Sequence, residues 1–124
     1  MVSLGGSFSS LDITSDDAYA IMMKSDLCPM LSIQLNYLDR VGRREVLINT
    51  DRNTFLLNLI DGSLMINGVK ENYAVPRDHT YSEMHKEMLK GRLDIICSLS
   101  EAENILKLIT ASERSSKEGE WVKI

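Results

Sequence analysis

His79 follows Asp78 in the loop 76–79, and a histidine beside a carboxylate is a pairing that proton transfer or a metal site would use. The side chains that would complete such a site are missing nearby: Glu83 fits a helix cap and His85 falls on an apolar helical stripe. A histidine hydrogen-bonded within its own loop is the reading these residues favour, with a metal-dependent enzyme built on Asp78 and His79 as the weaker alternative. Arg40, Arg43 and Arg44 crowd one short turn beside Tyr37 and Asp39. Guanidinium forks grip a carboxylate or phosphate through paired hydrogen bonds, but the same group also reads as a solvated hairpin loop. Asp16-Asp17 suits a turn, and Glu101 and Glu103 suit the positive start of a helix. Cys28 and Cys97 lie far apart without a CxxC spacing and read as two small apolar core residues with free thiols. No nucleophile elbow, P-loop or GxGxxG occurs, so the chain carries no visible active centre of its own.

These groups need a scaffold, and the stretch Met30–Lys70 supplies most of it. Leu31, Ile33, Leu35 and Tyr37 fall on alternate positions and share one face of an extended chain. Val46, Ile48 and Thr50 alternate with Glu45, Leu47 and Asn49, and Phe55, Leu57 and Leu59 with Leu56, Asn58 and Ile60. Asp61-Gly62 and Asn67-Gly68 offer the residue pairs of type I′ turns, the first being the stronger hairpin signal. Connections this short join antiparallel neighbours, so the centre of the chain reads as an antiparallel meander. Upstream, Ala18–Met23 reads as a strand covered on both faces. Residues 1–10 read as a frayed end or half of an edge strand, because Gly5-Gly6 weakens the pattern.

Two helices follow. Thr80-Tyr81-Ser82-Glu83 fits a capping box, ahead of a stripe of Tyr81, Met84, His85, Met88 and Leu89 that closes at Gly91. Leu93–Cys97 reads as a short apolar connection. Ser98-Leu99-Ser100-Glu101 is a second box, followed by Leu99, Ala102, Ile105, Leu106 and Ile109, with Gly119 as the stop. Trp121–Ile124 reads as a last edge strand. The expected fold is α+β: an open-faced, mainly antiparallel sheet with two helices on one face, forming one domain over residues 1–124. Leu47, Leu56, Ile60 and Met65, with Ala20 and Met22, then make the helix-free face apolar too. That face is expected to pair with a second copy, sheet to sheet.

The 124 residues, 44% hydrophobic and 26% charged, suit one soluble domain of ordinary composition. A net charge of −4 gives no general attraction to nucleic acid or an anionic membrane. No apolar run reaches the roughly 20 residues of a membrane span, and the N-terminus lacks the basic-then-apolar order of a signal peptide, so a cytoplasmic location is expected.

The closing stretch, Leu106-Lys107-Leu108-Ile109 through Ser115-Ser116-Lys117-Glu118-Gly119-Glu120-Trp121-Val122, resembles the end of the Gfo/Idh/MocA oxidoreductases, where a Ser-x-x-x-Gly-x-Trp-Val pattern finishes the chain. Leu35-Asn36-Tyr37-Leu38-Asp39-Arg40 resembles that family's strand ending Asp-Tyr-Leu-Gln-Arg, with Asp39 in place of the usual Gln. Arg43–Ile48 is similar to the strand after it, and Asp51–Met65 to the part that typically reads Gly-Thr-Ile-Glu-Trp-Asp. The order agrees over residues 11–124. The family's Glu-Lys-Pro and Asp-x-x-x-His motifs are absent. The resemblance therefore implies a C-terminal domain without its Rossmann domain: part of a sugar-like substrate pocket plus an oligomer interface. NAD(P) would belong to the parent enzyme and no cofactor to this chain, which alone would be inactive. Tyr37, Arg40, Arg43 and His79 are the substrate-contact candidates, as polar groups at strand ends. The alternative is a stand-alone dimerisation or ligand-binding module with no enzymatic parent.

Overall fold

The computed structural model describes residues 1–73, 75–92, 94 and 96–124. Ala74, at the end of the last run of the meander, and Leu93 and Ile95, in the apolar connection expected between the helices, lie outside the described residues. The fold is α+β, with antiparallel sheets and two helices. The chain divides into two compact units, residues 1–38 with 97–124, and residues 39–96.

In the first unit, β1 (Val2–Gly6), β2 (Ala18–Met23) and β3 (Leu31–Asn36) form an antiparallel sheet in that order. β1 is a full strand despite its glycines. Gly5 stands opposite Tyr19 in the register, and a Cβ on Gly5 would lie 2.2 Å from the Tyr19 ring. The ring thus covers the place where a side chain would stand, and the aromatic on the neighbouring strand supplies the packing that Gly5 lacks. Asp17, nearly inaccessible, fixes the turn between β1 and β2. Its carboxylate accepts from the Phe8 and Ser9 amides at 2.8 and 2.9 Å and from the Ser9 hydroxyl at 2.6 Å.

Helix α2 (Leu99–Glu118) opens with the expected capping box: Ser98 Oγ accepts from the Glu101 amide, and Glu101 accepts from the Ser98 amide. It closes at Gly119, whose φ of 69° is the left-handed cap. Its expected apolar stripe is not what holds it: Leu99, Ile105, Leu106 and Ile109 are exposed, while Ser112 and Ser115 are buried. The free edge of β1 docks on those serines. Ser3 N–H donates to Ser115 Oγ at 3.0 Å and Ser3 Oγ to Ser112 O at 2.5 Å. The Gly5 peptide exchanges two bonds of 2.9 Å with Ser116 Oγ. Beyond the helix, Trp121–Ile124 is not a ladder strand, but Val122 and Met1 exchange backbone bonds of 2.7 and 2.8 Å.

In the second unit, β4 (Glu45–Asn49), β5 (Thr54–Asn58), β6 (Ser63–Ile66) and β7 (Val69–Asn72) form an antiparallel meander in sequence order. The single meander expected from the sequence is thus divided after β3. Asn36 Oδ1 takes the Leu38 amide at 2.7 Å, and the Tyr37 amide turns back to Asp17 O at 2.9 Å. The first is a local capture of a backbone donor by a side chain, and the second extends the β2–β3 pairing by one residue beyond Asn36.

The two Gly-containing turns exchange roles. Asn67-Gly68, with φ of 49° and 90°, is the two-residue type I′ connection between Ile66 and Val69. Asp61-Gly62 instead ends a longer loop, 59–62, in which only Gly62 has positive φ. Asn58 Oδ1 accepts from the Ile60 and Asp61 amides there, and Asp61 is spanned by the Ser63 hydroxyl at 2.6 Å and Lys70 Nζ at 2.9 Å.

Helix α1 (His79–Leu89) starts earlier than its expected box. Asp78 is the N-cap without a side-chain bond, and Glu83 pairs with Lys86 at 2.7 Å instead of reaching back to Thr80. The stripe of Tyr81, Met84, His85, Met88 and Leu89 is exposed, so His85 is not on a buried face. The buried residue is Glu87, whose carboxylate holds Lys90 Nζ at 2.8 Å and the Arg92 guanidinium. Gly91, with φ of 73°, stops the helix where expected.

Candidate functional site

The substrate-contact candidates are spread over both units. Tyr37 follows β3 with an exposed ring. Arg40 and Arg43 sit in the exposed loop before β4, where Arg43 Nη2 lies 3.4 Å from Asp39. His79 is the first residue of α1 rather than a loop residue, with its amide donating to Pro76 O at 2.9 Å. No hydrogen bond or ion pair among the described residues joins any two of these four. Three or more potential metal ligands do not gather anywhere among the described residues.

The apolar face is better defined. Register places Leu47, Leu56, Met65 and Lys70 in one row across the four strands, so the first three share a face, as expected. Ile60 lies in the loop after β5 rather than in this row. The opposite face carries two apolar rows. Ile48, Phe55, Ile66 and Val69 form one, and Val46, Leu57 and Leu64 the other, ending at Glu71. α1 makes no extended contact with these strands among the described residues. All of β4 is exposed.

Charged groups near the sheets serve structure. The Ser9 hydroxyl, followed by the Phe8 amide, holds the Asp17 carboxyl below its ordinary range. Lys90 and then Arg92 do the same for Glu87, and the Ser98 amide and hydroxyl for Glu101. The Tyr19 hydroxyl donates to Asp16 at 2.7 Å, and this bond, reinforced by partial burial, pushes its pKa up to about 12. None of these groups is left poised for proton transfer near neutrality.

Sequence periodicity did not expose an open groove beside α2, lined by the apolar Leu106, Ala111 and Ile124 and by the charged Glu103, Lys107, Arg114 and Lys123. Lys107 is paired with Glu103 at 2.8 Å, and Arg114 lies 3.9 Å from Glu118. The groove is too open to exclude water from a reaction. No described helix is long and apolar enough to cross a membrane. Comparison with protein-family models, curated proteins and solved structures gave no match.

Proposed function

We propose that this chain is the substrate-side and assembly domain of an NAD(P)-dependent oxidoreductase acting on sugars or nucleotide sugars, with hydride transfer performed on a separate Rossmann domain. The observation that carries this reading is the order of four motifs similar to the Gfo/Idh/MocA oxidoreductases, set beside the order of the elements. Leu35–Arg40 runs from β3 into the following loop, Arg43–Ile48 enters β4, and Asp51–Met65 spans the β5–β6 hairpin. The Ser-x-x-x-Gly pattern ends α2 at its Gly119 cap, with Trp121-Val122 beyond it. The apolar rows of the second sheet, exposed at Val46, Leu47, Ile48 and Val69, support an assembly role.

Among the described residues, no glycine turn or helix start forms the usual phosphate cradle of a dinucleotide site. A phosphate cradle places glycines at the turn where a strand enters a helix, with free amides at the helix start. Here the positive-φ glycines Gly62, Gly68, Gly91 and Gly119 lie in hairpin turns or helix C-terminal caps. The N-terminus of α1 carries the Asp78 carboxylate, and that of α2 is taken by Ser98 and Glu101. No step of hydride transfer is therefore assigned to this chain.

The test is the reading frame around this segment. A GxGxxG and a Glu-Lys-Pro encoded just upstream, with nicotinamide-dependent oxidation of a sugar by the joined protein, is the expected result. A frame without them overturns the reading and leaves a stand-alone assembly module.

A further inference from the structure

The outer edge of β4 has a defined hydrogen-bonding phase. Leu59 N–H donates to Arg44 O at 2.8 Å and Thr50 N–H to Asn53 O at 2.9 Å, so the peptide groups of Arg44, Val46, Ile48 and Thr50 face β5. Those of Glu45, Leu47 and Asn49 face outward, because hydrogen-bonding direction alternates along an antiparallel strand. β4 is the margin of its sheet and is exposed along its whole length. It carries Val46, Leu47 and Ile48 at mid-strand. β7, at the other margin, carries Lys70 and Glu71, the kind of charge that discourages an edge from pairing.

We propose that two copies of this chain join antiparallel along β4, with Leu47 opposite Leu47 of the second copy. This is independent of the oxidoreductase reading and uses the strand edge rather than the sheet face. The sequence around Leu47 is complementary to its own reverse. Val46 meets Ile48 of the second copy, the Glu45 carboxylate meets the Asn49 amide, and Arg43 meets Asp51. No like charges oppose each other. The phase also fits: Leu47 pairs with Leu47, and Glu45 with Asn49, as hydrogen-bonded pairs made by the outward peptide groups. The row Leu47, Leu56 and Met65 then runs on into the second copy as one sheet with continuous faces.

In a hydrogen-bonded antiparallel pair the Cα atoms lie about 5.5 Å apart, within disulfide range. With Cys28 and Cys97 changed to Ser, Leu47→Cys is expected to form a disulfide-linked dimer under mild oxidation, whereas Val46→Cys, opposite Ile48 rather than itself, is not. Light scattering on the unmodified chain at tens of micromolar should give twice the 14.0 kDa chain mass. Leu47→Pro removes an outward N–H that the β4–β5 ladder does not use, and should weaken the dimer at least tenfold with the far-ultraviolet circular dichroism retained. Leu47→Ala keeps that N–H and should weaken it less, whereas a face-packed dimer would lose more from Ala. If Leu47→Pro unfolds, the two cysteine variants decide. A monomeric parent, equal cross-linking of both cysteine variants, or a folded Leu47→Pro dimer as strong as the parent would overturn the proposal.

Discussion

Replacing each of Ser112, Ser115 and Ser116 by alanine applies one chemical change at three points on α2, and the structure ranks the results. Ser115 is fully buried; its hydroxyl accepts the Ser3 amide at 3.0 Å and donates to Glu120 O at 2.7 Å. Ser115→Ala leaves the amide of buried Ser3 without its partner and removes the bond to the Glu120 carbonyl, a loss of about 2–3 kcal/mol, offset by about 0.5 kcal/mol of better helix propensity. The net is about 2 kcal/mol, or roughly 8 °C in melting temperature for a chain of this size. Ser116 is half-buried, so water can replace its two bonds to Gly5, and Ser116→Ala should cost about 1 kcal/mol. The Ser112 hydroxyl only returns to Leu108 O within the helix, and Ser3 bonds the Ser112 carbonyl, which alanine keeps. Ser112→Ala should be within about 0.5 kcal/mol of the parent. Urea unfolding followed by circular dichroism measures all three. Equal losses, or a Ser112→Ala loss matching that of Ser115→Ala, would refute the idea that hydroxyls seat β1 on the helix.

Other perturbations follow from the same geometry. Gly5→Ala should destabilise by about 1–3 kcal/mol, because the Tyr19 ring must move; most of that cost should vanish in a Tyr19→Ala background, as a double-mutant cycle would show. Ser98→Ala removes the hydroxyl that accepts the Glu101 amide, while the backbone N–H of position 98 still donates to Glu101, and should cost about 1 kcal/mol with lower helicity. Asp17 has a folded pKa below its ordinary 3.8, so its stabilisation is complete above that value and is lost as pH falls through the lower folded one. Asp17→Asn should flatten the acid limb of a stability-against-pH curve. Tyr19 has the opposite sign: its contribution is complete below its ordinary 10 and is lost as pH rises through about 12. Spectrophotometric titration should find Tyr19 ionising late, and Asp16→Asn should bring it down.

Much of this architecture was legible in the sequence because it is written in local chemistry. The Ser98–Glu101 box, the Gly91 and Gly119 stops and the strands β2 to β6 all depend on neighbours a few residues apart. The Thr80 box failed because the helix begins at His79, which puts Thr80 inside the first turn, and Glu83 pairs with Lys86. β1 was obscured by Gly5, whose packing comes from Tyr19 on another strand and leaves no trace in the β1 pattern itself. The stripe on α2 marked the wrong face because serines, not aliphatic residues, make its contact with β1. The candidate site residues were chosen as polar groups at strand ends, and alternation alone carries no information on whether such ends converge.

The bonds joining Ser3 to Ser112 and Ser115 close a loop of more than a hundred residues, whereas every pairing within β4–β7 is between neighbours in sequence. Loop-closure entropy makes the local meander the faster structure to form, in isolation or as the chain leaves the ribosome. The margin of β1 must wait for the last helix to arrive, and until then it presents bare amides to any passing strand. Slowing synthesis just before residue 112 should therefore lengthen the window in which this segment is open to chaperones or to mispairing.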